Sequence, residues 1–236
     1  MNKKLYHGTS EIHLQDILEN GLRPRGEHDG NWSEAPSRHD RVYLTDTYPL
    51  FFADMALVGD ERSVVIEIDT DHLEEDNMRP DEDFIVQVLH AQGKLPNDID
   101  IKQAAATFDV DGYAHEWEKS LLHLGNAAYV GTIPVEAITR IAIYKSKGPI
   151  IMGGDPCITM TNHRLLAGHS RALIAWLFDG TPPNNEHITE EQILAELEKQ
   201  PDDTMFKNML EGVQVRRKWF AEERKKIVEV RNMKAE

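Results

Sequence analysis

Short, mostly apolar runs of strand length recur through the first 145 residues with helix-length segments between them, and after Lys145 such runs stop. The runs are Lys4–Tyr6, Arg41–Thr45, Val64–Ile68, Ala127–Val130 and Ala137–Tyr144. Between them, Ser10 is placed to cap a helix carrying Ile12, Leu14, Ile17 and Leu18, and Gly21 stands where a left-handed residue closes it. Pro49 opens a second helix over Leu50–Leu57, and further helices are predicted over Phe84–Gln92, Ile101–Thr107 and Tyr113–Leu124. Arg23–Asp40 and Asp69–Asp83 read as loops, the first longer than a loop usually is without a function. Beyond Lys145 the pattern is helical: His163–Phe178, a segment entered through the capping-box spacing Thr189–Gln192, and a charged stretch from Asp203. The order predicts an α+β domain over residues 1–148 and a mainly helical C-terminal extension over 149–236.

Charge narrows the partners. The chain of 236 residues has a net charge of −15, with 40 % hydrophobic residues, enough for a buried core. From Lys207 onward nine Lys/Arg face five Asp/Glu, leaving 17 against 36, a net −19, in the first 206 residues. A body this acidic repels a phosphate backbone, so broad nucleic-acid binding is not expected, although a local cationic pocket for one small anion is compatible with it. No apolar run approaches the roughly 20 residues that span a bilayer, and one cysteine, Cys157, permits neither an intrachain disulfide nor a Cys-based zinc site. A cytoplasmic protein without a membrane partner is the expectation.

Common catalytic signatures are missing: no P-loop, no dinucleotide fingerprint, no Gly-x-Ser-x-Gly and no His-x-x-x-His. Asp69-Thr70-Asp71 begins like a calcium loop but has Glu74 where glycine is needed. What remains is an ordered series: Leu5-Tyr6-His7-Gly8-Thr9-Ser10, then Asn20-Gly21-Leu22-Arg23-Pro24, then Val42-Tyr43-Leu44-Thr45. An Ala-bearing helix follows, then Val65-Ile66-Glu67-Ile68-Asp69, and last Tyr129-Val130-Gly131-Thr132-Ile133-Pro134 before Ile138. Read singly, His-Gly-Thr-Ser is also a polar turn and Tyr43 also a core tyrosine. In this order and spacing, over residues 4–144, the series resembles the ADP-ribosyltransferase superfamily, in its diphtheria-toxin-like and DNA-targeting branches and the related tRNA 2′-phosphotransferases.

The resemblance implies a split β-sheet that holds NAD as substrate in a cleft. It implies that His7 bonds a ribose hydroxyl, that Gly8 lets the backbone approach the nicotinamide amide, that Thr9 or Ser10 adds a hydroxyl, and that the Tyr43 ring stacks on nicotinamide. The third catalytic position, usually glutamate, falls on Asn126, which has no negative charge for an oxocarbenium-like ribosyl centre. At about 5 Å and an effective dielectric near 20 such a charge is worth about 3 kcal/mol, roughly a hundredfold in rate. Glu116 and Glu118, flanking Trp117, echo a Glu-x-Glu pair but fall in a helix. Arg23, with Arg25, Arg38 and Arg41, is a candidate for the cofactor pyrophosphate or for a substrate phosphate. The expected activity is mono-ADP-ribosyl transfer to a macromolecule, protein in preference to nucleic acid. The alternatives are an RNA 2′-phosphotransferase-like enzyme, for which the arginines would line the cleft, and a catalytically weak NAD-binding or interaction module.

Overall fold

The computed structural model describes residues 3–26, 38–57, 59–145, 159–183, 190–201 and 204–233. Seven strands are described: β1 (Lys4–Ser10), β2 (Arg41–Thr45), β3 (Ser63–Asp69), β4 (Met78–Pro80), β5 (Asn126–Val130), β6 (Ile138–Tyr144) and β7 (Val228–Asn232). They form one sheet in the order β4-β5-β2-β1-β3-β6-β7, antiparallel at every step. The helices are α1 (Leu14–Asn20), α2 (Pro49–Met55), α3 (Glu82–Ala91), α4 (Ile101–Thr107), α5 (Trp117–Leu124), α6 (Met160–Asp179), α7 (Glu190–Lys199) and α8 (Thr204–Ile227). The class is α+β. No helix among the described residues is long and apolar enough to cross a membrane.

The two halves of the sheet barely touch. β1 pairs with β3 along its whole length, from Lys4↔Asp69 to Ser10↔Ser63, and β2 pairs with β5 along all of its own. Between β1 and β2 there is a single register pair, Tyr6↔Thr45. Beyond it the strands diverge. Alternation then sorts the side chains: Leu5, Val42, Leu44, Ile66 and Ile141 enter one core with Leu14 and Ile17 of α1. On the opposite face Val65, Ala142 and Tyr144 pack with Leu50 and Ala53 of α2 and Leu173, Ile174 and Leu177 of α6. β3 and β6 are covered on both sides, which is why their sequences are near-continuous β-branched and aliphatic runs.

Two distant elements of the series meet. Leu22 and Ile133 exchange both backbone hydrogen bonds at 2.9 Å. Gly21 beside them has φ +77°, and a Cβ there would lie 2.4 Å from the Ile133 carbonyl oxygen, so this joint requires glycine.

Several boundaries differ from expectation. His7–Ser10 continues β1 rather than forming a turn. Ser10 precedes a 3-10 turn, Glu11–His13, but its Oγ donates to Glu61 and caps nothing. The acidic segment Asp69–Asp83 contains two 3-10 turns, strand β4 and the start of α3. Tyr113–Leu124 divides into a 3-10 segment, Asp111–Glu116, and α5. After Lys145 the chain is not all-helical, because β7 returns to pair with β6 from Arg140↔Asn232 to Tyr144↔Val228. The polar alternation Val-Glu-Val-Arg-Asn belongs to an edge strand whose outer side faces water. The Thr189 capping box, Cys157 and most of the Arg23–Asp40 loop lie outside the described residues.

Helix α2 lies directly on Gly8: a Cβ there would be 2.3 Å from the Pro49 carbonyl oxygen and 2.4 Å from the Ala53 amide nitrogen. Gly8→Ala is therefore expected to destabilise the fold by about 3 kcal/mol through overpacking. Gly168→Ala, on an open stretch of α6, is expected to stabilise it by about 0.5–1 kcal/mol. Urea denaturation of both variants checks the pair, and a tolerated Gly8→Ala would contradict the α2 packing.

Candidate active site

The site is built where β1 and β2 part. His7 alternates with Leu5 and so leaves β1 toward the α1 face, whereas Tyr43 leaves β2 toward the opposite face with Arg41 and Thr45. The two meet through the backbone: His7 Nδ1 lies 2.9 Å from the Tyr43 carbonyl oxygen. A carbonyl can only accept, so Nδ1 carries the proton and Nε2 presents a lone pair. Burial holds the imidazole below the ordinary histidine value, against the Tyr43 carbonyl, which favours charge, and with His13 adding a smaller repulsion. At neutral pH His7 is a neutral acceptor at the edge of the gap.

Tyr43 is held at both ends. Its hydroxyl donates to Glu82 Oε2 at 2.9 Å and accepts from the Arg38 amide at 3.0 Å. Burial, then the neighbouring Glu82 and Asp81 charges, pushes its hydroxyl well above the usual phenol range. Glu82 is in turn bonded by Arg41 Nη1 at 3.1 Å, and the Arg41 side chain is fully buried. Arg41 Nη2 reaches Asp111 at 3.0 Å, where Arg79 Nε also binds. Arg41 Nε faces Asp40 Oδ1 at 3.4 Å, close as charges but without hydrogen-bond alignment. Removing one partner of such a buried ion network typically costs about 3–5 kcal/mol. The ring of Tyr43 is thus fixed by a set of charges rather than by packing alone.

Asn126 lies on the same face as Tyr43, one pair along: Thr45↔Asn126 beside Tyr43↔Ala128. It does not open toward His7. Its side chain is 3 % exposed, it bonds the Asp81 carboxyl, and its Oδ1 has no partner. Asp81 caps α3 by accepting from the Asp83 amide at 2.9 Å, and its own amide donates to Ser120 Oγ, which donates to the Asn126 carbonyl. Burial, with Asp83 and Glu82 alongside, raises the Asp81 carboxyl well above its usual range. Burial also raises Glu82, but Tyr43 and Arg41 oppose it, whereas no described cation pairs with Asp81. Of the two, Asp81 is therefore the acid whose protonated form burial favours more, and a protonated carboxyl there would carry the donor that Asn126 Oδ1 lacks. A glutamate placed at 126 would enter the same buried setting and would not present an anion to the gap.

The remaining sequence-predicted residues divide. Gly8 is on β1 beside the gap, and its missing side chain is required by α2 whatever else approaches its backbone. Thr9 is buried on the His7 face, and the Ser10 hydroxyl is committed to Glu61. Arg23 lies at the surface with Nη2 2.7 Å from both Asp16 carboxylate oxygens, an exposed bond of small net value. Arg38 and Arg41 are directed to Asp40, Glu82 and Asp111, so the arginines do not form a free phosphate cluster. Glu116 and Glu118 bind Lys119 and Lys3 at the surface, as a helical face would. No three His, Cys, Asp or Glu among the described residues form a metal-binding group. Asp81 and Glu82 escape the sequence pattern, because Asp81-Glu82-Asp83 reads as the end of an acidic loop. The signal was the cap spacing, an aspartate followed by two acids before the apolar run from Phe84.

No family model matches the chain, and no curated protein does. Among solved structures, a chain named EcPltA aligns with TM-score 0.36 and 13 % identity, over 68 % of this chain and 87 % of that one.

The raised Asp81 carboxyl has a consequence for stability. The folded state holds the Asp81 proton to a higher pH than the unfolded chain, which releases it near pH 4. Stability from this group is therefore full below that pH and is lost as pH rises toward the folded value. Asp81→Asn retains the cap without the titration. It is expected to raise stability at pH 7 and to flatten its decline above pH 4. Urea midpoints between pH 4 and pH 8 check this, and a variant less stable than the parent at pH 7 would contradict it.

Proposed function

We propose that this chain is an ADP-ribosyltransferase-like enzyme that uses NAD as a substrate, with the β1–β2 gap as the place where NAD lies. One observation carries the reading. Two strands that are neighbours in one sheet separate after a single pair, and the histidine at the point of separation offers a neutral acceptor nitrogen. Beyond Tyr6↔Thr45, β1 and β2 no longer pair with each other, so their facing edges suit an amide such as that of nicotinamide. A ribose hydroxyl is the donor that His7 Nε2 calls for. The ring of Tyr43, pinned through its hydroxyl, supplies a fixed aromatic surface against which a flat leaving group can be oriented. Arg23 can exchange its exposed Asp16 bond for the cofactor pyrophosphate.

In the transfer, the bond between nicotinamide and the ribosyl carbon breaks, nicotinamide leaves as a neutral ring, and a nucleophile of the acceptor bonds to that carbon. This chain's residues hold and orient the reacting parts. Asn126 provides no carboxylate for the cationic centre, so the reading carries a slow chemical step and binding that outpaces turnover. The acceptor in this reading is a protein, since the acidic body repels a phosphate backbone. The alternative of an RNA 2′-phosphate substrate loses support, because Arg38 and Arg41 are already paired with carboxylates.

His7→Ala is expected to weaken NAD binding at least roughly tenfold while the chain remains folded, whereas Tyr43→Phe, which keeps the ring, is expected to retain most of it. Calorimetric titration checks both, and unchanged affinity in His7→Ala would remove the assignment. Because burial lowers the His7 pKa in the fold, NAD affinity is expected to fall at a lower pH than an ordinary histidine would titrate, as Nε2 becomes protonated. A fall already complete by pH 6.5 would contradict the neutral tautomer. Labelled NAD incubated with proteins and with RNA then separates transfer to protein from release of a 2′-phosphate.

A further inference from the structure

Away from the β1–β2 gap, α3, the 3-10 segment Asp111–Glu116, α5 and the first turn of α6 enclose a groove of about 440 Å3. That volume falls within the roughly 300–1,000 Å3 of small-molecule sites. Its floor is apolar: Phe84 and Ile85, with Val88, Leu89, Tyr113 and Met160 only partly covered. The His123 ring lies parallel to Phe84 with centroids 6.0 Å apart, extending the flat wall. The groove is held open at one end by a cross-link, the Met160 amide donating to Gln87 Oε1 at 3.0 Å.

The rim has the opposite charge to the protein. Lys94, Lys119 and Arg164 line it, and Glu116, the one carboxylate among its lining residues, is bound by Lys119 at 2.8 Å. Lys94 and Arg164 are exposed and have no ion-pair partner among the described residues. In a chain with net charge −15, two unneutralised cations over an apolar floor form a local positive site in a negative surround. Apolar floor and cationic rim together match a molecule with an apolar body and an acid group.

We propose that this groove binds a small organic anion with an aromatic or acyl body. Its acid group is held by Lys94 and Arg164, and its body lies on Phe84, Val88, Leu89, Tyr113 and Met160. The site is separate from the β1–β2 gap and does not depend on the NAD reading.

The test is calorimetric titration of the full chain with 1-naphthaleneacetate and with 1-naphthylmethylammonium, which share an aromatic body and differ in the sign of the charge. The anion is expected to bind saturably and the cation at least roughly tenfold more weakly. The double variant Lys94→Gln/Arg164→Gln, both at exposed positions, is expected to lose the preference for the anion by about the same factor. Val88→Trp, which fills the floor, is expected to abolish binding of both probes. Equal affinity for the two probes, an unaffected double variant, or no binding of the anion at millimolar concentration would each overturn the proposal. NAD affinity, measured alongside, is expected to be the same in the double variant as in the parent, so failure here leaves the gap assignment standing.

Discussion

One residue pair, Tyr6↔Thr45, joins the two halves of the sheet, and everything proposed for the site follows from how little that pair holds. A fully zipped β1–β2 ladder would place the backbone edges of both strands in hydrogen bonds to each other and leave no acceptor to spare. Instead each strand is zipped to its outer neighbour, β1 to β3 and β2 to β5, and the inner edges part. Unpaired backbone inside a protein is costly unless something satisfies it. His7 supplies one bridge across the gap, to the Tyr43 carbonyl, and a bound carboxamide would supply others.

The gap stays open because its walls are held from outside. On one side α2 lies so close to β1 that Gly8 has no space for a side chain. On the other, Tyr43 is tied through Glu82 to Arg41, and Arg41 through Asp111 to Arg79. A buried arginine with three acidic neighbours is an expensive way to fix one tyrosine, since a well-packed apolar residue would cost less to desolvate. What the charges add is geometry: a bonded hydroxyl at the far end of the ring sets its plane as well as its position. The raised Asp81 carboxyl is the counterpart of that arrangement, a further acid crowded beside Glu82 and Asp83 where burial favours its protonated form.

Local pattern made much of this legible. Strands β3 and β6 are dense β-branched and aliphatic runs, β2 and β5 are short and largely apolar, and Gly21 marks its helix end by the only backbone that fits there. His7 and Tyr43 stand out as members of an ordered series, and in the fold the His7 ring meets the backbone carbonyl of Tyr43 rather than its side chain. The series could not reveal that their side chains leave opposite faces of the sheet, since alternation is set by a register that only pairing defines. Nor did Asn126 announce its surroundings. Its partner Asp81 is 45 positions earlier, in a segment whose acidity reads as loop until the cap is recognised. β7 escaped because an edge strand of alternating polar residues carries little apolar signal and follows a long helix without a turn cluster. The helices after Lys145 are likewise less detached than their composition suggests, with α6 packed on Val65, Ala142 and Tyr144.

The central claim is that the parted strands receive NAD. A crystal structure of the chain with a non-hydrolysable NAD analogue tests it most directly. The account predicts the nicotinamide amide between the inner edges of β1 and β2, a ribose hydroxyl within hydrogen-bond reach of His7 Nε2, and the ring against Tyr43. An analogue found elsewhere, or strands β1 and β2 zipped past Tyr6↔Thr45 with His7 turned away, would contradict it.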